Sequence, residues 1–205
     1  MKKINLLGCS GHSYVVSDTI KANNEVINGY FGSKKDKNPF GIPYLGNEKM
    51  MREFSQTEDL YYFPCVGDNQ IREKMIHFLE ENQLEQTIII HPTASISAQS
   101  IIEKSVFIGS NVIINILSHI GKGVIVNSGA IIEHECIVGN YTHIAPGTVL
   151  TGNVTVGESS LIGANSVIIP NKKIGNNVVI GAGSVVICDI PDNETWAGNP
   201  ARKIK

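Results

Sequence analysis

Aromatic and charged side chains are both scarce in this 205-residue chain, at 6% and 18%. Hydrophobic residues nevertheless make up 42% and the net charge is only −2. That combination excludes an acidic or basic disordered chain, which stays unfolded because it has little apolar surface and much net charge. It also excludes a strong overall field for nucleic acid or an anionic membrane. No apolar run approaches the roughly 18 residues of a membrane span. Cysteine is sparse too. Cys9, Cys65, Cys136 and Cys188 form no CxxC pair, so neither a zinc knuckle nor a disulfide framework fits, and reduced thiols are expected. Leu6-Leu7-Gly8-Cys9 has the outline of a lipoprotein cleavage box. The apolar stretch before it, Ile4 to Leu7, falls well short of the roughly 7–15 residues such a leader needs, and a cytoplasmic location is expected instead.

What is there falls into two grammars that change over near residue 86. In the first part, Ile4 to Leu7 reads as a strand that runs into Gly8-Cys9-Ser10-Gly11-His12, followed by a helix over Ser13–Ala22. Val26–Phe31 and Asp59–Val66 read as further strands. Asp68 or Asn69 can cap a helix in which Ile71, Met75, Phe78 and Leu79 recur at helical spacing. Alternating strands and helices predict a parallel sheet, an α/β domain of Rossmann-like βαβ type over residues 1–86.

Residues 87–205 are written in sixes. Every sixth residue from Ile96 through Ile102, Ile108, Ile114 and onward to Val186 is Ile, Val or Leu without exception. Even at a local frequency of four in ten, chance produces such a run less than about once in a million. Glycine follows the aliphatic at 109, 121, 139, 157, 163, 175 and 181, and the residue two before it is usually small, as at Ser118, Ala130, Thr142, Ser160 and Ser184. A period of six is neither helix nor plain strand. It suits one short strand plus one corner, three of which close a triangular coil of 18 residues. The aliphatics are expected inward, the small residues in the tight corners, and the glycines where the turn strains the backbone.

Together, Gly8-Cys9-Ser10-Gly11-His12, Val66-Gly67-Asp68-Asn69-Gln70-Ile71-Arg72, Ile132-Glu133-His134-Glu135-Cys136-Ile137-Val138-Gly139, His143 and Ala197-Gly198-Asn199-Pro200-Ala201-Arg202 resemble one subfamily of hexapeptide-repeat acyltransferases. It holds the bacillosamine-pathway N-acetyltransferase and the sialic acid O-acetyltransferases. The resemblance implies a left-handed parallel β-helix, a homotrimer with active sites between subunits, acetyl-CoA as cosubstrate, no metal, and a nucleotide amino-sugar of UDP type as acceptor. It implies His134 as general base with Glu135 raising its basicity; a neutral imidazole oriented by a carboxylate is suited to taking a proton. It further implies acetyl-CoA contacts at His143, Gly152, Ala164 and Ala182, with the Gly152 N–H facing the developing oxyanion. The nucleotide-sugar falls to Ser10, Gly11, His12, Gly67 and Asn127. Lys172, Lys173, Arg202, Lys203 and Lys205 are candidates for the coenzyme phosphates.

The chain departs from the pattern at one place. An acidic pair that would read the base is replaced by Gly32-Ser33, which puts uridine recognition in doubt. The expected reaction is acetyl transfer to the 4-amino group of a nucleotide-activated 4-amino-4,6-dideoxysugar. O-acetylation of a sugar such as a sialic acid is the alternative. A zinc lyase on the same prism would draw on His91, His119, His134 and His143 and would leave Glu135 unexplained. A scaffold without catalysis is the remaining reading.

Overall fold

In the computed structural model, residues 2–35, 37–47, 50–51 and 60–205 are described. The chain opens as a four-stranded parallel sheet of β1 (Lys3–Leu7), β2 (Val26–Phe31), β3 (Tyr44–Gly46) and β4 (Leu60–Pro64), in the order β3-β2-β1-β4. Among the described residues two helices accompany it, α1 (Gly11–Ala22) and α2 (Asn69–Glu81). The fourth strand is shorter than its expected span, and Asp59 lies outside the described residues. Helix α1 starts two residues before its expected position, because Ser10 takes an extended N-cap backbone and Gly11 and His12 form the first turn. Helix α2 starts as its sequence suggests: the Asp68 carboxylate accepts from the Ile71 N–H at 2.9 Å.

From β5 (Ile89–Ile90) to β21 (Val185–Val186) the chain is a parallel β-solenoid of two-residue strands, each as far as β18 (Val167–Ile168) pairing with the strand eighteen residues on, as Ile125 does with His143 and His143 with Leu161. The solenoid starts one six earlier than the run counted from Ile96. Three walls result. One is extended by the tail strands β22 (Thr195–Gly198) and β23 (Ala201–Lys203), which fold as a hairpin. From Ile108 to Val186 the repeating aliphatic is 2% exposed or less, forming one column-like core.

The corners follow a different rule from the expected one. The glycines after the aliphatic have ordinary φ, and a side chain there would strike the next coil: a Cβ on Gly139 would lie 2.7 Å from the Glu158 nitrogen. The left-handed positions come two residues later. They recur every six, at Ser105, Asn111, Leu117, Gly123, Gly129, Glu135, Tyr141, Gly147, Asn153, Ser159, Asn165, Asn171, Asn177 and Gly183. Asn and Gly dominate because they tolerate that conformation. The small corner residues do more than fill space. The buried hydroxyls of Ser118, Thr142, Thr148, Ser160 and Ser166 each donate to a carbonyl fifteen residues on, between 2.6 and 3.0 Å. They satisfy backbone acceptors that the turn leaves without strand partners.

The α/β sheet packs on the upper levels of the wall that carries Ile89, Phe107 and Ile125, which join Ile4, Leu6, Val16 and Ile20 in one buried cluster. Arg72 of α2 pins the two parts together. It is 1% exposed, and it donates to the carbonyls of Val66, Gly67, Gly123 and Tyr141 and to Asn69 Oδ1. Asn69 in turn donates to the carbonyls of Ser159 and Ser160 at 3.0 Å. No sequence pattern singles out Arg72 for this role, because its partners are backbone carbonyls of distant corners.

Candidate active site

His134 and Glu135 stand on the corner that follows the buried Ile132, and both are more than half exposed. Glu135 Oε2 lies 3.0 Å from His134 Nδ1, so the carboxylate accepts the Nδ1–H and leaves Nε2 as the basic nitrogen. The coils lock this corner in place: Glu135 N–H donates to the Ile116 carbonyl and Asn153 N–H to the His134 carbonyl. Gly152 lies directly beneath. A Cβ built on it would come within 2.5 Å of both Cε1 and Nε2 of His134. Glycine is therefore required at 152 for the imidazole to lie where it does. Among the described residues no backbone carbonyl accepts from the Gly152 N–H. Cys136 faces inward and is buried, and desolvation raises its pKa.

A second cluster sits where the α/β sheet meets the solenoid. His143 Nε2 is 3.3 Å from Asn127 Nδ2. His12, in the first turn of α1, stands edge-on to Phe107 with ring centroids 5.2 Å apart. Burial holds the His12 pKa down to about 4, helped by His143 and then Arg72. Burial likewise holds His143 down to about 4, with the Arg72 charge adding to the effect and the Gly67 main chain opposing it. Both imidazoles are therefore neutral near pH 7, and His143 Nε2 can accept from the Asn127 amide. A cavity of about 520 Å³ opens beside His143, lined by Gly67, Asp68, Asn69, Gln70, His143 and Leu161 among others. A Cβ on Gly67 would meet nothing within 4 Å, so Gly67 faces open space.

The residues that sequence alone singled out thus fall into two groups. His12, Gly67, Asn127 and His143 come together, with Ser10 and Gly11 exposed at the start of α1. His134, Glu135 and Gly152 come together on another corner. Among the described residues no hydrogen bond or ion pair joins the groups. Ala164 and Ala182 follow Ile162 and Ile180 on the wall that carries His143, one coil apart, and the Gly183 N–H donates to the Ala164 carbonyl. Lys203 is engaged with Glu194 at 2.6 Å. The histidines named for a zinc site have separate partners: His91 with Thr93, His119 with Glu103, His134 with Glu135 and His143 with Asn127. Among the described residues no group of three His, Cys, Asp or Glu could hold a metal, and no helix is long and apolar enough to cross a membrane.

Known proteins share this architecture from end to end. The PglD N-terminal domain family matches residues 3–79, and the bacterial transferase hexapeptide family (six repeats) matches residues 118–152 and 153–188. The acetyltransferase domain of PglB from Neisseria gonorrhoeae, solved with acetyl coenzyme A, is 30% identical over 99% of both chains with a TM-score of 0.94. PerB from Caulobacter crescentus, solved with CoA and GDP-perosamine, is 30% identical over 100% of this chain and 98% of its own, again at 0.94. A mutant perosamine N-acetyltransferase from the same organism is 28% identical over 100% of this chain and 98% of its own, at 0.96.

The chain belongs to the PglD-type hexapeptide-repeat sugar N-acetyltransferases. It is an acetyl-CoA-dependent N-acetyltransferase.

Proposed function

We propose that this enzyme transfers the acetyl group of acetyl-CoA to the 4-amino group of a nucleotide-linked 4-amino-4,6-dideoxysugar, with His134 as general base. The observation that carries the reading is the stack of His134 Nε2 over Gly152, with Nδ1 held by Glu135 at 3.0 Å. The amine lone pair attacks the thioester carbonyl and a C–N bond forms. The proton leaving nitrogen passes to His134 Nε2, and the Gly152 N–H donates to the oxyanion. The C–S bond then breaks, and the departing thiolate takes the proton from the imidazolium. Ala164 and Ala182 leave a flat strip along which the pantetheine arm lies, with His143 at its upper end. Ser10, Gly11, His12, Gly67 and Asn127 hold the nucleotide-sugar.

Because the two clusters are separate within one chain, the complete site is assembled between copies of it, as a homotrimer. Exposed Ile101 and Ile137 on the wall next to the His134 corner support a second copy there. A cytoplasmic setting supplies acetyl-CoA. Gly32 to Lys35 offers no carboxylate to a base N–H, and PerB, a relative solved with a nucleotide-sugar, carries a GDP-sugar. Both GDP- and UDP-linked acceptors therefore belong in the assay.

The test is acetyl-CoA consumption against GDP- and UDP-linked 4-amino-4,6-dideoxysugars and free sialic acid, for the wild type and His134→Ala. Turnover of an amino-sugar with a loss of at least about 10²-fold in the variant is expected. Turnover of sialic acid alone would move the assignment to O-acetylation, and full activity in His134→Ala would remove the base.

A further inference from the structure

Three residues that are neither Asn, Ser nor Gly occupy left-handed corners of the solenoid: Leu117 at φ 62°, Glu135 at 60° and Tyr141 at 60°. A side chain outside that tolerant group costs about 1 kcal/mol or more there, so each needs a compensating reason. Tyr141 has one in packing: it is 5% exposed, with its ring against His77 of α2. Glu135 has one in His134. Leu117 has neither, since it is 59% exposed, and Ile116 beside it is 43% exposed.

The pair lies one coil above the base. Ile116 is eighteen residues before His134 and Leu117 eighteen before Glu135, and the Ile116 carbonyl accepts from the Glu135 N–H at 3.0 Å. The imidazole is thus flanked by Gly152 below and an exposed apolar step above. The two levels differ in what stands at the same height on the His143 wall: Ala164 and Ala182 lie further down the solenoid, whereas Phe107 and Ile125, against which the α/β sheet packs, stand at the level of Ile116 and Leu117 on another wall.

We infer that Ile116 and Leu117 form the acceptor-side specificity wall, packing on the C6 methyl of the 6-deoxy amino-sugar. That methyl is the most apolar part of such an acceptor, and the acetyl group of the cosubstrate approaches from the Gly152 side. The inference rests on the acceptor proposed above and adds to it a preference for a 6-deoxy over a 6-hydroxy sugar.

Leu117→Asn is the sharpest variant, because Asn already occupies this conformation at 111, 153, 165, 171 and 177; Ile116→Thr is the companion. The readout is the ratio of kcat/KM for a nucleotide-linked 4-amino-4,6-dideoxyhexose over the matching 6-hydroxy 4-amino sugar. Acetyl- and propionyl-CoA are compared alongside, and sedimentation gives the oligomeric state. The wild type is expected to prefer the 6-deoxy sugar, and each variant to lose about tenfold of that preference, the scale of one methyl in an apolar pocket. The acyl preference and the oligomer should stay unchanged. An unchanged ratio, or a wild type without preference, overturns the inference and leaves the acetyltransferase reading intact. A shifted acyl preference assigns the wall to the coenzyme, and a dissociated variant assigns it to a second copy; either overturns it. A wild type that acetylates neither sugar removes the acceptor reading, and this inference with it.

Discussion

His134 and His143 are nine residues apart on one solenoid and occupy opposite environments. His134 is exposed on a corner, with a carboxylate on one nitrogen and Gly152 beneath the other. His143 is enclosed near the Arg72 guanidinium, and its pKa is held down to about 4. The fold separates the two environments by placing one imidazole at a corner and the other beneath the α/β sheet. Each environment follows from where its coil meets another element, not from residue type.

The largest expected effect comes from removing what separates the two. Arg72→Ala strips the hydrogen bonds from four backbone carbonyls at the junction, and a stability loss of about 3 kcal/mol or more is expected from groups left buried and unpaired. Urea unfolding measures it. A loss under about 1 kcal/mol would show that the junction does not depend on the guanidinium.

Acid should act on the His12 and His143 pair. His12 and His143 titrate near 4 in the folded chain and near 6.5 when unfolded, so between those values the unfolded chain binds more protons. Their contribution is complete above about pH 6.5 and falls away toward pH 4, by about 1.4 kcal/mol per pH unit for each group. Urea midpoints at pH 7 and pH 5 should show the drop, and His143→Leu should flatten it by about half. A slope the same in that variant would show that His143 is not held neutral.

Two smaller effects sharpen the exposed side. Gly152→Ala pushes the imidazole aside and is expected to reduce kcat about tenfold or more with little change in stability. Glu135→Asn relieves a left-handed glutamate. A stability gain of up to about 1 kcal/mol, accompanied by a severalfold loss in kcat, is the expected trade. A gain in both would leave the carboxylate without a catalytic reason.

The six-residue period made the solenoid legible, because one inward aliphatic per strand is the whole condition for stacking its coils. On that count His134 and Glu135 fall at exposed corner positions and Cys136 at a buried one. The left-handed register was present in the sequence as Asn111, Asn153, Asn165, Asn171 and Asn177, six or a multiple of six apart, and was passed over in favour of glycines whose actual constraint is the next coil. Strand β3 lacked any strong alternation to announce it. Arg72 and Asn69 were beyond sequence reasoning, since hydrogen bonds to backbone carbonyls leave no mark on the identity of the partner residue. The nearness of Gly152 to His134 follows directly from their eighteen-residue spacing.

The most direct test of the account is subunit complementation. Its central claim is that the His134 corner of one copy and the Gly67–His143 wall of another make one active site. His134→Ala disables the corner. Gly67→Phe fills the cavity, at a position where a side chain meets nothing in its own fold. Co-expressed in equal amounts, two inactive variants should recover about a quarter of wild-type activity, because random mixing puts an intact corner against an intact wall in that share of interfaces. A mixture as inactive as its parents would contradict the account.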